Sequence, residues 1–380
     1  MTAPSPMLRT DERRGHVGPL ELFFDLVYVF TIIQLSHYVV EHDTLTGLAQ
    51  AAVLFLAVWW GWNYTAWAMN WLEPESRAVQ GLVAVLMLAA LAMAVAVPHA
   101  FDESAGLFVA AYLTLQLLRS AVMVAVFRGR TMGRNYAHLL AWSAAAGVLW
   151  VVGLLVPADW RLAVWALAVV VDYAAPRVGF WIPGRGTAPM STWPVTESHL
   201  AERNRLVFII ALGESILVLG GTLLGGELTG PVVLAALVGF ATIVLLWRLY
   251  FDHRYGNQEH ELADDADPTA AARGAYAYAH ALMVGGAILV AVGIETVVHH
   301  PGEHTDAMAA AAIAGGPALY LVGNLLFQRA LWGRTPRSRV AGLAALAVVA
   351  AVAPLLPLIA TAALVLAVLG ALVVAGGRRA

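Results

Sequence analysis

The sequence predicts an all-α, polytopic membrane bundle of about twelve transmembrane helices with a six-plus-six parallel internal repeat. Three observations predict it. Hydrophobic residues make up 60% of the chain and charged residues 12%, with a mean hydropathy of +0.73, against roughly 45–50% and 25% in soluble domains. Apolar stretches of about 20 residues, each sufficient to cross a hydrocarbon core of about 30 Å, recur from Pro19 to the C-terminal end. Arginine concentrates in alternate loops. The net charge is −3 and every one of the 22 basic residues is Arg, so nucleic acid finds no basic surface here. Without Cys there is no disulfide framework, thiolate nucleophile, iron–sulfur cluster or thiolate zinc site.

Proline, glycine and charged breaks delimit the spans in order. The first, 19–41, follows a polar tail, 1–18, that carries Arg9, Arg13 and Arg14. No small-residue cleavage site ends that apolar run and Asp25 lies within it, so it reads as a retained span and not a signal peptide. His42-Asp43 separates it from 46–71, and Glu73-Pro74-Glu75 separates that from 77–98. Asp102-Glu103 precedes 105–127, Arg128-Gly129-Arg130 precedes 135–157, and Pro157 and Asp159 precede 160–182. After Pro183-Gly184-Arg185 come 199–225 and, past Gly225-Gly226-Glu227, 230–252. The charged stretch Asp252–Arg273 leads to 272–298, Pro301-Gly302 to 307–330, and Gly333-Arg334 to 338–355. Only Pro354 and Pro357 separate that span from 358–376.

The loop arginines put both termini in the cytoplasm of a bacterial inner membrane, because the opposite loops hold Arg161 and little else. The organisation expected is a tail at 1–18, a first six-helix unit at 19–182, a cytoplasmic linker at 183–198, a second unit at 199–376 and a tail at 377–380. Leu26-Val27-Tyr28-Val29-Phe30 resembles Leu206-Val207-Phe208-Ile209-Ile210, and Tyr112-Leu113 to Gln116-Leu117-Leu118 resembles Tyr320-Leu321 to Asn324-Leu325-Leu326. A duplication with six spans per unit gives both units the same orientation, a device of transporters; chance matching of apolar helices is the competing reading.

Two passages are unusual for membrane helices. Glu21-Leu22-Phe23-Phe24-Asp25-Leu26-Val27-Tyr28-Val29-Phe30 lies near the start of the first span. His199-Leu200-Ala201-Glu202-Arg203 runs on to Ile209-Ile210-Ala211-Leu212-Gly213-Glu214-Ser215 in the seventh. In that order and spacing they resemble the bacterial low-temperature-requirement protein A (LtrA) family, over nearly the whole chain. The resemblance implies a multi-pass inner-membrane protein whose family name comes from a cold-growth phenotype. It implies no particular chemistry, so function is argued from the site.

Glu21, Asp25 and Tyr28 fall at i, i+4 and i+7 and share a helix face. An ionised carboxylate in hydrocarbon costs at least about 2.5 kcal/mol, so one of the pair is expected to be protonated or paired with Arg. Glu21 also suits the helix N-terminus at the cytoplasmic interface. In the seventh span, His199, Glu202 and Arg203 form a polar patch in which Glu202 and Arg203 diverge by about 100°. Each is expected to pair with another helix, Arg203 with Asp25. Glu214 returns to within about 20° of the Arg203 face, about 16 Å deeper, with Gly213 permitting close helix approach and Ser215 adding a hydroxyl. A mid-membrane acid marks function by default; a protonated acid serving as structural glue, and a salt-bridge network fixing helix packing, are the competing readings.

Secondary candidates follow. Asp172 and Arg177 are five apart, a poor helical spacing, so Asp172 is expected to meet an Arg of another span, with Arg119 and Arg248 at hand. Trp60, Tyr64, Trp67 and Trp71 form one aromatic stripe, with Trp59 and Asn63 on an adjacent line. An interfacial belt explains Trp67 and Trp71; Trp59, Trp60 and Trp62 could wall a cavity for an apolar, aromatic or cationic ligand, or serve as packing bulk. His37, His138, His280 and Glu295 are isolated and read as packing residues, and the acids of Asp252–Arg273 as a solvated linker. No metal-ligand spacing occurs and no cofactor is expected.

The residues point first to a secondary transporter of a small molecule, with proton coupling open to it, using the carboxylates and Arg of spans one and seven. The alternative is an intramembrane enzyme acting on a lipid or isoprenoid by general acid catalysis. A non-catalytic sensor or partner subunit is the third. The partners expected are the bilayer and a small or lipid-like ligand, and neither nucleotide motif nor nucleophile elbow points to a pump or hydrolase.

Overall fold

The computed structural model describes residues 7–9, 16–251 and 268–377. Among them run twelve long helices: α1 Pro19–Glu41, α2 Leu45–Met69, α3 Arg77–Ala96, α4 Ala105–Val126, α5 Thr131–Leu155, α6 Ala158–Ala174, α7 Glu197–Gly225, α8 Gly230–Tyr250, α9 Thr269–His299, α10 Ala307–Trp332, α11 Arg337–Val352 and α12 Leu358–Gly377. Eleven helical stretches are long and apolar enough to cross a membrane; α6 is not among them. The expected acidic patch of the loop after α8 lies at residues 252–267, outside the described residues.

Most boundaries follow the breaks in the sequence. The sixth helix is a correction, ending at Ala174 and not at 182. The cause is local: Pro176, two residues past the last helical residue, has no N–H to continue the ladder, and the turn that follows closes at Gly179, φ 60°, where Phe180 N–H bonds back to Ala175 O at 2.8 Å. Two single π-helical turns, Arg273–Ala279 in α9 and Ala311–Gly315 in α10, had no signature in the hydropathy pattern. The prolines that separate the last two spans produce a 3₁₀ turn at Ala353–Leu355, and stretches of 19 residues on either side remain long enough to cross.

The chain divides into two compact units, the boundary falling inside α7 between Asn204 and Arg205. In the first, α3 to α6 pack as successive hairpins. Trp165 of α6 lies on α5 because Gly153 has no side chain there: a Cβ would stand 2.2 Å from the indole nitrogen. That nitrogen donates to Trp150 O at 3.0 Å. In the second unit α9 and α10 meet along a glycine seam. A Cβ on Gly286 would lie 2.6 Å from Tyr320 N, and one on Gly323 2.7 Å from Ala279 O. Small residues allow this backbone approach where helices lack a hydrophobic drive to associate in lipid.

Candidate functional site

Glu21 is the hub of a buried polar network in the first unit, with 1% exposure one turn into α1. Its Oε1 accepts from His199 Nε2 at 2.7 Å and from Arg203 Nη1 at 3.0 Å. Its Oε2 accepts from Arg9 Nη2 at 2.8 Å and from the Gly18 N–H at 2.9 Å. Both oxygens are therefore saturated. Arg203 also reaches Asp25, one turn along α1, through Nη2 to Oδ1 at 2.5 Å. The guanidinium thus clasps both carboxylates, as i, i+4 spacing on α1 permits.

Asp25 differs from Glu21 in one respect that matters chemically. Its Oδ1 takes a second bond, from Trp62 Nε1 at 2.7 Å, while its buried Oδ2 bonds to no group among the described residues. The Trp62 ring also faces the Arg203 guanidinium, 5.7 Å from Cζ to the ring centre. One turn further on α1, the buried Tyr28 hydroxyl and then Thr31 Oγ1 likewise lack a hydrogen-bond partner among the described residues. Asp25, Tyr28 and Thr31 form a polar file along the buried side of α1.

Asn70 and residue 9 complete the setting. Asn70 Oδ1 accepts the Thr196 N–H at 2.8 Å, and Nδ2 donates to Thr196 O at 3.0 Å. This pins the loop just before α7 and fixes which way the amide points. Asn70 Nδ2 therefore faces His199 Nδ1, at 3.3 Å, as a donor. An imidazole that accepts at Nδ1 and gives its proton to Glu21 from Nε2 is neutral. Charges then balance, Arg9 and Arg203 against Glu21 and Asp25. Arg9 arrives from the N-terminal tail, where Leu8 bridges Leu72, Arg9 N–H bonds Trp71 O at 2.9 Å and Arg9 Nε bonds Leu72 O at 2.8 Å.

A second buried network lies in the same unit. Among the described residues Asp172 meets no arginine directly, a correction to the expectation: Arg177 and Arg248 are exposed, and Asp172 Oδ2 instead accepts from Tyr112 OH at 2.7 Å. Tyr112 OH accepts from Gln116 Nε2 at 2.8 Å, and Gln116 Oε1 accepts from Arg119 Nη2 at 2.5 Å. Arg119 Nη1 donates to Thr65 Oγ1 at 3.1 Å and Gly61 O at 3.3 Å. The i, i+4 and i+3 steps from Tyr112 to Gln116 to Arg119 put all three on one side of α4.

The other expected residues fall as follows. Glu202 is half-buried and is not among the groups bonded to Glu21 or Asp25. Glu214 and Ser215 are buried, at 1% and 0%, and belong to the second unit. Gly213 does not carry a close approach as expected, since a Cβ there meets nothing within 4 Å. Trp59 packs on Trp62 with ring centres 4.9 Å apart, and Trp60 lies between Tyr64 and a stacked Tyr173 at 4.0 Å. Asn63 is buried beside them. His138 bonds Phe180 O at 3.0 Å, and His280 pairs with the Tyr250 hydroxyl at 2.7 Å. Among the described residues no three potential metal-ligating side chains cluster. Sequence reasoning missed Arg9, read only as a topological charge, Trp62 as an acid's donor, and Asn70. The crowding of seven indole or amide side chains into residues 59–71, Trp62 and Asn70 among them, was the available signal for the last two.

The family model described as bacterial low temperature requirement A protein (LtrA) matches residues 16–374. A protein of Rhizobium meliloti (strain 1021), known as uncharacterized protein RA0937, is 36% identical over 327 residues, covering 85% of this chain and 80% of its own length. No solved structure matches the chain.

Proposed function

The chain belongs to the bacterial low temperature requirement A family, and we propose that it is a proton-coupled secondary transporter of the inner membrane, with Asp25 as the exchanging carboxylate. The observation that carries the reading is the asymmetry between the two acids that Arg203 clasps. Glu21 has four donors and no oxygen to spare, whereas Asp25 keeps a buried Oδ2 bonded to no described group. A proton arriving at the network is received there. Once Asp25 is neutral, the pull between it and Arg203 weakens, and the guanidinium turns wholly to Glu21. That exchange is a two-state element of the kind alternating access needs.

In this reading Glu21, His199 and Arg9 form the fixed end and Asp25, Tyr28 and Thr31 the working end. Both termini face the cytoplasm, the two six-helix halves are a parallel repeat, and Glu214 and Ser215 serve the second half as Asp25 serves the first. The Trp59–Tyr64 aromatics wall the path of the transported solute. The test uses the purified chain in liposomes loaded with a pH-sensitive dye, with inward gradients of small solutes imposed one at a time. A coupled transporter changes the internal pH for a subset of solutes, and Asp25→Asn abolishes the change while leaving the protein folded. Solute flux that is unaltered in Asp25→Asn rejects the assignment.

A further inference from the structure

We infer that Arg119 is the binding site of a small monovalent anion, admitted when Asp172 takes up one proton. Arg119 has 0% exposure in the middle of α4. Among the described residues every group it bonds, the Gly61 carbonyl, the Thr65 hydroxyl and the Gln116 amide, is uncharged. So is the Tyr64 ring 5.3 Å from Cζ. The titratable groups facing it from α1, α2, α4 and α5 are the phenols Tyr28, Tyr64, Tyr112 and Tyr136. A permanent cation in hydrocarbon cannot stand without a counter-charge.

Its counter-charge is held at a distance. The relay Arg119, Gln116, Tyr112, Asp172 donates in one direction throughout, from guanidinium to amide to phenol to carboxylate, so that each link polarises the next. Asp172 is faced by Tyr112 and the Trp150 indole, neither of them charged, and by the Arg119 guanidinium at the far end of the relay. With Asp172 ionised the two ends cancel. One proton on Asp172 removes the negative end, and the guanidinium then requires an anion to restore neutrality. Uptake of one proton with one monovalent anion leaves the net charge of the unit unchanged.

The donors for such an anion are at hand. Arg119 Nε and the Tyr28 hydroxyl are both buried and bond to no group among the described residues. Both side chains converge on Gly61: its carbonyl takes Arg119 Nη1, and the Tyr28 hydroxyl stands 3.0 Å from where a Gly61 Cβ would be. Leu115 closes in at 3.7 Å from the same point. One guanidinium N–H, one hydroxyl and one unit of charge to neutralise match a small ion such as chloride or nitrate. As the transported species, that anion rests on the transport reading; as a bound one, it does not.

The experiment is equilibrium binding by the purified full chain in detergent, read by thermal unfolding and tryptophan fluorescence. Sodium chloride and sodium nitrate are compared with sodium gluconate at equal ionic strength, over a series of pH values. Saturable stabilisation by chloride or nitrate is expected, tightening by about tenfold per pH unit of acidification where Asp172 titrates, as linkage to one proton requires. Asp172→Asn should bind at all pH values with that dependence gone. Arg119→Gln should weaken binding about tenfold or more, and Tyr28→Phe, which keeps the packing, about three- to tenfold. No saturable difference from gluconate at any pH overturns the inference, as does binding untouched by Tyr28→Phe and Arg119→Gln. Binding that ignores both pH and Asp172→Asn overturns the proton linkage. Anion binding without coupled uptake in liposomes leaves this site standing and removes the transport reading instead.

Discussion

Asn70 sets the protonation pattern of His199: its amide nitrogen faces Nδ1 at 3.3 Å, and the Thr196 backbone holds the amide so that it cannot turn its oxygen there. The proton sits on Nε2 toward Glu21 Oε1, at 2.7 Å the closer of the two neighbours of that nitrogen, Arg9 Nη2 lying at 3.3 Å. Nitrogen-15 NMR of histidine-labelled protein should show this residue, identified by its loss in His199→Gln, with Nε2 protonated and Nδ1 bare. The reverse tautomer would contradict the network as described.

Arg203 is the member whose loss the network tolerates least. Arg203→Met leaves two buried carboxylates with Arg9 alone, a change that costs about 3–5 kcal/mol when a buried pair is broken. Unfolding in detergent measures it. Adding Asp25→Asn to Arg203→Met removes the uncompensated charge, so the double variant should be more stable than the sum of the single effects, with a coupling of about 1–3 kcal/mol. Simple additivity would show that the two groups do not act on each other.

Trp62 is bonded to Asp25 and not merely packed near it. Trp62→Phe preserves most of the ring contact with Trp59 but removes the donor, and is expected to cost about 1–3 kcal/mol for a hydrogen bond to a buried charged group. Asp25→Asn should make the Trp62→Phe change cheaper, because a charge-assisted bond becomes a neutral one. Equal costs in the two backgrounds would separate Trp62 from the site.

The glycine seam of the second unit makes a prediction about stability with no bearing on chemistry. Gly286→Ala drives a methyl into backbone atoms, Tyr320 N at 2.6 Å and Gly316 O at 2.7 Å, which no rotamer change relieves. A loss of about 1–3 kcal/mol is expected from overpacking. Gly213→Ala, with nothing within 4 Å of the new carbon, should be neutral or slightly stabilising through helix propensity. Unfolding midpoints of the two variants decide it.

The span pattern was legible because hydropathy and breaks act locally: a run of about 20 apolar residues bounded by charge or proline specifies a crossing without reference to its neighbours. The meeting of Asp25 with Arg203 was legible for a related reason, that a buried acid and a buried guanidinium each demand a partner. What stayed hidden depends on chain geometry. Nothing in Leu8-Arg9 announces a backbone pairing with Trp71-Leu72, and Asp172 satisfies its oxygen with a phenol where the charge argument sought a cation. The π turns of α9 and α10 leave apolar composition unchanged and so give no signal in hydropathy.

The most direct measurement is infrared difference spectroscopy of the protein in lipid nanodiscs, recorded on acidification, for wild type, Asp25→Asn and Glu21→Gln. A protonated-carboxyl band is expected in wild type, removed by Asp25→Asn and retained in Glu21→Gln, because of the two acids only Asp25 keeps an oxygen open to the proton. A band that survives in Asp25→Asn and vanishes in Glu21→Gln would contradict this.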